Sequence, residues 1–198
     1  AVFEGDGIDF HGITGLKVSG CVLRNSDDCI ALYPSHADVR DVTVENCVLW
    51  TDRAHNINLG THGSGDPENR HYIENVTFSD IYAPESNCPS VDYQGVIGIS
   101  LGDEIICRDV TFSDFVIEQY TASQIFVLKI MKLDPWNPTP GYLIYNVNIR
   151  NINYLGDGVP KASVFGYSAD RIVRNVTVEN YRIRGNRADT LEKAGISV

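Results

Sequence analysis

Val42-Thr43-Val44-Glu45-Asn46 is the most informative segment of the sequence, because its pattern recurs along the whole chain. Its first and third residues are apolar, as in a strand that buries one face. Its fifth position is occupied by Gly, Asn or Asp, which tolerate the left-handed backbone of a sharp bend. Such a repeat indicates a structure built from similar successive units. The copies begin at Leu16, Val42, Val76, Val110, Val147 and Val176, at intervals of 26 to 37 residues by subtraction.

A second short apolar strand follows every copy. Helical periodicity is absent and Asn-Gly or Asp-Gly hairpin turns are scarce, which disfavours the rival prediction of a β-sandwich with hairpins. Short strands with an aligned bend instead predict an all-β solenoid of parallel strands, a β-helix, whose equivalent positions stack in columns about 4.8 Å apart. We expect the valines that begin the copies to form one inward column. The second strands are residues 30–32, 57–59, 99–101, 125–127, 163–165 and 196–198.

Three polar residues share one offset, because each lies two residues before the first isoleucine of a strand. They are Asp6 before Ile8, Asp28 before Ile30 and His55 before Ile57. In stacked coils Asp6 and Asp28 would be near neighbours with Asp27 beside them, and carboxylates that repel each other need a reason to be there. Hydrolysis of a glycosidic bond needs one carboxyl group as proton donor and another to activate water. The structural alternative is that these aspartates cap turns, as we expect of Asp80 and Asp114.

Composition narrows the class of protein. A chain of 198 residues can bury one sizeable core, so we expect a single domain over residues 1–198. The formal net charge of −10 disfavours nucleic acid and anionic membrane surfaces as partners, and no apolar run is long enough to span a membrane. The five cysteines include no C-x-x-C pair, so we expect neither a metal nor an organic cofactor.

Three irregular insertions, residues 61–70, 84–89 and 132–141, mark loops between the strands. Solenoids usually bind their ligands on such loops along one face. Trp136, in the third insertion, has a ring that can stack on a sugar. The alternative, that it packs a proline-rich loop onto the body of the protein, is the one we favour from the sequence.

The segments around the three aligned residues resemble the polygalacturonase-like glycoside hydrolases of family 28 and the related dextranase and isopullulanase group, family 49. Gly5-Asp6-Gly7-Ile8 looks like the end of the Asn-Thr-Asp-Gly motif, and Ser26-Asp27-Asp28-Cys29 looks like the Gly/Gln-Asp-Asp motif. His55-Asn56-Ile57-Asn58-Leu59-Gly60 is similar to the His-Gly-Ile-Ser-Ile-Gly segment. The resemblance implies a right-handed, single-stranded, pectin-lyase-like parallel β-helix and hydrolysis with inversion.

The resemblance also implies roles for the residues at the matching positions. Asp27 would be the general acid, Asp6 and Asp28 would hold and activate the water, and His55 would support the acid or the bound sugar. For inversion, the acid is expected to stand roughly 6.5–9.5 Å from the base.

Two features depart from the family pattern. Polygalacturonases grip the substrate carboxylate with an Arg-Ile-Lys motif about one coil after the histidine, whereas the matching stretch here is Gly95-Val96-Ile97-Gly98-Ile99. With Ile97 and Ile99 in place of the cations, we expect a neutral substrate, or one held by a basic residue from elsewhere. The chain also begins almost at Asp6, whereas family members carry several coils before this position. We therefore expect the carboxy-terminal part of a larger β-helix enzyme.

The cysteines allow two readings. The resemblance implies a Cys29–Cys47 disulfide beside the site, whereas the repeat places Cys21 and Cys47 in one interior column, where they can stack as thiols. We favour free thiols.

The function that these observations favour is that of a glycoside hydrolase acting on a polysaccharide or oligosaccharide. We expect it to be monomeric and extracellular or periplasmic. One alternative is a carbohydrate-binding β-helix without catalysis, which has no need to stack Asp6 on Asp28. Another is a pectate-lyase-type eliminase, which would need calcium and a basic catalytic residue.

Overall fold

Parallel strands make up most of the structure. The computed structural model describes residues 5–121, 123–134 and 136–198. Its elements are β1 (Ile8–His11), β2 (Ile13–Ser19), β3 (Val22–Asn25), β4 (Ile30–Tyr33), β5 (Val39–Thr51), β6 (Ile57–Leu59), β7 (Tyr72–Asn87), β8 (Gly95–Leu101), β9 (Ile106–Thr121), β10 (Gln124–Ile130), β11 (Leu143–Tyr154), β12 (Ala162–Phe165), β13 (Val173–Glu179), β14 (Arg182–Ile183), β15 (Asn186–Arg187), α1 (Leu191–Ala194) and β16 (Ile196–Ser197).

The strands form two sheets that the chain visits alternately. The seven-stranded sheet has the order β1-β4-β6-β8-β10-β12-β16, so each strand pairs with the equivalent strand of the next repeat. The nine-stranded sheet has the order β15-β14-β11-β9-β7-β5-β2, with β3 also on β5 and β13 also on β11. Among these named strands the pairing is parallel except between β14 and β15. The prediction of an all-β protein with parallel strands is confirmed. Among the named strands, the one hairpin of the kind that a β-sandwich would use is the short pair β14 and β15.

The first residues of the repeat form the predicted column inside the protein. Successive members pair in register, and those in β5, β7, β9 and β11 are almost completely buried. The members of this column are Leu16, Val42, Val76, Val110, Val147 and Val176. The third residues of the repeat form another column, in which the rings of Phe78 and Phe112 stack at a centroid distance of 5.5 Å.

Each repeat contains two bends with a left-handed backbone. The bend predicted at the fifth position has φ between 50° and 67° at Gly20, Asn46, Asp80, Asp114, Asn151 and Asn180. A second bend, directly before the first position, was not predicted. It has φ between 52° and 77° at Gly15, Asp41, Asn75, Asp109, Asn146 and Asn175. Because both bends recur at fixed places, the polypeptide keeps the same course in successive repeats.

The predicted second strands all fall in the seven-stranded sheet, which also carries the predicted site. The loops before β1, β4 and β6 hold the two acidic segments and the histidine segment, side by side on neighbouring strands. In the described part of the chain, no helix has the length and apolarity needed to cross a membrane.

Candidate functional site

The loops before β1, β4 and β6 stack in the same register as their strands. The amide of Gly7 donates to the carbonyl of Asp28 at 2.8 Å, and that of Cys29 donates to the carbonyl of His55 at 3.0 Å. The side chains also bond from one loop to the next: Asp6 Oδ1 accepts the amide N–H of Asp28 at 2.9 Å, and Asp28 Oδ1 accepts that of His55 at 2.8 Å. The column expected from the sequence is therefore present, and its carboxylates also bond the backbone as turn-capping aspartates do.

Asp27 lies beside this column. Its Oδ1 accepts the same Asp28 N–H, at 3.0 Å, that Asp6 accepts. One oxygen from each of Asp6, Asp27 and Asp28 lies within 4.8 Å of the other two. These closest oxygens are nearer than the roughly 6.5–9.5 Å expected between the acid and base of an inverting enzyme, because Asp6 and Asp27 converge on one donor. Asp6 is exposed, Asp27 is half-buried and Asp28 is buried.

Both oxygens of Asp28 also accept hydrogen bonds from side chains. Oδ1 lies 2.8 Å from His55 Nδ1, while Oδ2 accepts from Tyr33 Oη at 3.0 Å and from Asn58 Nδ2 at 2.6 Å. Burial raises the pKa of Asp28, but the charge and hydrogen bonds of His55, with the hydrogen bond from Asn58, outweigh it and lower the pKa overall. Burial and the nearby charge of Asp28 raise the pKa of Tyr33, which keeps its hydroxyl a donor. Asp28 is thus an ionised, firmly held carboxylate.

His55 is only 2% exposed and is turned into the protein. Its Nδ1 faces Asp28, and its Nε2 lies 3.3 Å from the carbonyl oxygen of Tyr93. A ring this deeply buried offers little surface to a sugar. The sequence resemblance leads us to expect that His55 supports either the acid, Asp27, or the bound sugar. Its hydrogen bonds are instead with Asp28, so they show neither role directly.

Asp9 is a member of the site that the sequence reasoning missed. It lies on β1, is exposed, and is in line with Ala31 and Asn58 on the neighbouring strands. Partial burial, a hydrogen bond with Asp6 and the charges of the surrounding aspartates raise the pKa of Asp9 to about 7. Alternation along the strand could have identified Asp9 from the sequence. Ile8 faces inward, so the side chain of Asp9 faces outward, toward the site.

A groove of about 470 Å³ lies over the carboxylates. Aromatic rings form a row along it: Tyr33 contacts His62 edge-on at a centroid distance of 4.8 Å, and His62 contacts Trp136 edge-on at 5.5 Å. Trp136 remains 59% exposed. The sequence reasoning favoured a tryptophan that packs its loop onto the body, whereas the ring instead lines the groove with much of its surface accessible.

The strand that follows the histidine segment carries no cation in the groove. Ile97 and Ile99 of β8 are completely buried, and the outward positions between and after them are Gly98 and Ser100. Ser100 Oγ donates to the carbonyl of Tyr93 at 2.7 Å. Positive charge is supplied instead by Arg53, which lines the groove from the loop before β6, and by Lys129 one strand after β8. Lys129 is in register with Ser100 and lines an adjoining groove of about 590 Å³.

The cysteines are free thiols. The Cys29–Cys47 disulfide implied by the resemblance is therefore absent, and the expectation of free thiols is confirmed. Cys21 and Cys47 lie on neighbouring repeats, since the amide of Val48 donates to the carbonyl of Cys21. Each sulfur of this pair donates to a nearby backbone carbonyl instead of bonding to the other.

The three carboxylates do not by themselves make a persuasive cation site. Calcium takes about six to eight oxygen ligands, and both oxygens of Asp28 are already occupied by N–H and O–H donors. The chemistry that the arrangement can support is proton transfer between carboxyl groups of different burial, at the groove that lies over them.

Comparisons of the chain with protein-family models, with curated proteins and with solved structures gave no match. The resemblance to families 28 and 49 therefore rests on the motifs between residues 5 and 60 and on the repeat.

Proposed function

We propose that the chain folds as a right-handed, single-stranded parallel β-helix of the pectin-lyase-like kind. The support is the parallel pairing of successive repeats in two sheets and the recurrence of both bends. Right-handed crossovers between parallel strands of one sheet are the general rule, because of the natural twist of strands. An experimental structure in which the chain winds with the opposite hand would exclude this fold.

Within this fold we propose a glycoside hydrolase that cleaves a polysaccharide or oligosaccharide outside the cell or in the periplasm. The observation that carries the proposal is the convergence of Asp6, Asp27 and Asp28 at one groove, with three different degrees of burial. When carboxylates gather this closely, their mutual repulsion favours keeping a proton on one of them. A protonated and an ionised carboxyl group in one site are the two reagents that glycoside hydrolysis requires.

The roles follow the resemblance. Asp27 gives its proton to the glycosidic oxygen as the bond from that oxygen to the anomeric carbon breaks. A water molecule attacks the anomeric carbon and loses a proton to the ionised side of the site, Asp6 and Asp28. His55 acts through Asp28, which it holds by its ring and by its amide. One water is consumed, and exchange with solvent restores both carboxyl groups.

A neutral sugar chain is the substrate class that the groove supports best. No cation stands at the outward positions Gly98 and Ser100, and the exposed face of Trp136 offers a surface for the apolar side of a sugar ring. Arg53, which lines the groove, and Lys129, which lines the adjoining one, are the basic residues from elsewhere that an acidic substrate would use. A screen on dextran, pullulan, xylan and polygalacturonate separates the two cases.

The stereochemical outcome is a demanding test of the mechanism. The resemblance implies inversion, although the closest oxygens of Asp6 and Asp27 lie within 4.8 Å of each other. We propose inversion, with the attacking water held on the side of Asp6. Proton NMR of the first product formed measures its anomeric configuration, and a retained configuration would overturn the assignment.

The central experiment is Asp27→Asn. The amide keeps the shape of the side chain but cannot protonate the leaving group, so turnover is expected to fall by roughly 10²–10⁴-fold while sugar binding is largely kept. Asp80→Asn is the matched control, because Asp80 lies at a bend on the nine-stranded sheet where asparagine is equally suited. Near-normal turnover of Asp27→Asn would show that another group is the acid.

The same assays test the alternatives. A carbohydrate-binding module would bind sugar chains without releasing reducing ends, in wild type and Asp27→Asn alike. An eliminase would form an unsaturated, ultraviolet-absorbing product that depends on calcium. Arg53 lines the groove, and is the basic residue whose replacement would abolish such an elimination.

A further inference from the structure

The hydrogen bonds around Asp28 leave it no free acceptor position. An ionised carboxylate offers about four lone-pair sites. Here Oδ1 faces the amide and Nδ1 of His55, both at 2.8 Å, and Oδ2 accepts from Tyr33 Oη at 3.0 Å and Asn58 Nδ2 at 2.6 Å. The residue is only 5% exposed. A water molecule that has to hand over a proton would find every acceptor position of Asp28 already taken.

The two donors to Oδ2 are themselves held in place. Asn58 Nδ2 also donates to Tyr33 Oη at 3.0 Å, and Thr61 Oγ1 donates to Asn58 Oδ1 at 2.6 Å, which fixes the orientation of the amide. The ring of Tyr33 packs between His11 and His62, at centroid distances of 5.4 and 4.8 Å. The network therefore keeps Asp28 in one place and gives it no room to turn toward a ligand.

Asp6 differs from Asp28 on each of these points. It is exposed and lines the groove. Within residues 5–121, 123–134 and 136–198, the backbone group that its carboxylate bonds is the amide of Asp28, which donates to Oδ1 at 2.9 Å. Its other near partner is Asp9, a carboxyl group that lies on the same open edge of the site. Of the two carboxylates expected to activate water, Asp6 is the one that a water in the groove can reach.

We propose that Asp6 alone is the general base and that Asp28 is a fixed anion, with Tyr33 and Asn58 as the positioning residues that hold it. This inference rests on the proposed hydrolase function and divides the roles within it. As the water attacks the anomeric carbon, its proton passes to Asp6, while the proton of Asp27 passes to the departing oxygen. Asp28 keeps its charge throughout and faces the positive charge that develops on the sugar ring in an oxocarbenium-like transition state.

Azide distinguishes a base from a fixed anion. Azide attacks the anomeric carbon without needing to lose a proton, so it replaces both the water and its base. We expect Asp6→Ala and Asp28→Ala each to lose roughly 10²–10⁴-fold in turnover. Added azide is expected to raise the rate of Asp6→Ala in proportion to its concentration, with a glycosyl azide as product, and to leave Asp28→Ala unchanged. Rescue of Asp28→Ala, or failure to rescue Asp6→Ala, would overturn the proposal.

Tyr33→Phe tests the positioning role without removing the carboxylate. The ring is kept but one donor to Asp28 is lost, so the acidic limb of the kcat/KM profile is expected to move to higher pH. Tyr82→Phe, on the opposite sheet, is the control. The groups that face Asp28, and whose titration must be followed with it, are Asp6, Asp9, Asp27, Tyr33, His55 and His62.

Carbon-13 NMR of the aspartate carboxyl groups supplies a readout that does not need activity. The pKa of Asp28 is expected to be higher in Tyr33→Phe than in wild type and unchanged in Tyr82→Phe. An unchanged pKa of Asp28 in Tyr33→Phe would overturn the positioning role. If wild type hydrolyses no glycan, the proposed function fails together with the base assignment, whereas the NMR titration still decides whether Tyr33 holds Asp28.

Discussion

Asp9 shows how the environment of one residue links the site to the stability of the whole protein. Its pKa is about 7 in the folded protein, because partial burial and the neighbouring Asp6 disfavour its charge, against an ordinary value of 3.8. Between these values the folded state keeps a proton that the unfolded state has lost. The contribution of Asp9 to stability is therefore fully present below pH 3.8 and is lost as the pH rises toward 7. The pKa of Asp28 is lowered, so its contribution to stability is present above pH 3.8 and is lost as the pH falls below that value.

We expect Asp9→Asn to flatten this pH dependence. Asparagine cannot ionise, so the decline in the free energy of unfolding between pH 3.8 and about 7 should be smaller than in wild type. Urea unfolding at a series of pH values measures the slope. Asp80→Asn, far from the site, should keep the wild-type slope. Equal slopes for wild type and Asp9→Asn would show that Asp9 is not the group that retains a proton.

The cysteines give a second prediction for individual residues. All five are free, and burial raises the pKa of Cys29, Cys88 and Cys107, which makes their thiols unreactive in the folded protein. Titration of the unfolded, unreduced protein with a thiol reagent should therefore find all five, and the folded protein should react only slowly. A count of three or fewer after unfolding would mean that disulfides are present.

Among the structural elements, the bends decide how the repeats stack. The bend at the fifth position of each repeat is bridged to that of the next repeat by side chains: Asn151 Nδ2 donates to Asp114 Oδ1 at 2.7 Å, and Asn180 Nδ2 donates to Asn151 Oδ1 at 2.8 Å. Asparagine and aspartate suit these positions for two reasons. They tolerate the left-handed backbone, and their side chains can hydrogen-bond along the column.

Asn151→Ala and Asn151→Gly separate these two contributions. Alanine at a φ of 55° carries a backbone penalty of about 1–2 kcal/mol and also removes both side-chain hydrogen bonds. Glycine also removes the hydrogen bonds, but it adopts a positive φ without a steric penalty, so it should destabilise the protein less than alanine does. Urea unfolding of both variants gives the difference. If alanine and glycine destabilise equally, the backbone conformation is not what selects asparagine here.

At the scale of the whole molecule, stability comes from the apolar columns between the sheets. Phe112 is completely buried, stacks on Phe78 at 5.5 Å and meets Phe115 edge-on at 6.3 Å. Phe78 and Phe112 lie in consecutive repeats, whereas Phe115 follows Phe112 on β9, so the ring of Phe112 packs both against a neighbouring repeat and within its own. Loss of one ring leaves a cavity whose lining cannot collapse, because the backbone on both sides is fixed by parallel ladders.

We expect Phe112→Ala to lower the free energy of unfolding by about 3–5 kcal/mol. Val116→Ala is the matched control on the same strand, because Val116 is 37% exposed and its replacement should cost less than about 1 kcal/mol. Urea unfolding followed by circular dichroism measures both. A loss of similar size in the two variants would contradict a core that is continuous through this repeat.

The order of residues alone predicts the strands, the bend at the fifth position of the repeat and the column of Asp6, Asp28 and His55. These features depend on alternation along a strand and on a constant offset from repeat to repeat, and both can be read from the order of residues. Parallel stacking then follows, because only that arrangement buries every copy of the same apolar positions together.

The way in which the side chains of the site share their hydrogen bonds is visible in the three-dimensional structure and not in the order of residues. Tyr33 and Asn58 come from different strands, and nothing in their spacing shows that both reach one oxygen of Asp28. Loop lengths between the repeats vary, so the approach of Trp136 to His62 could not be read from the sequence either. These contacts depend on side-chain directions and loop paths in three dimensions, and they convert a column of acidic residues into an ordered set of exposed, half-buried and fixed carboxylates.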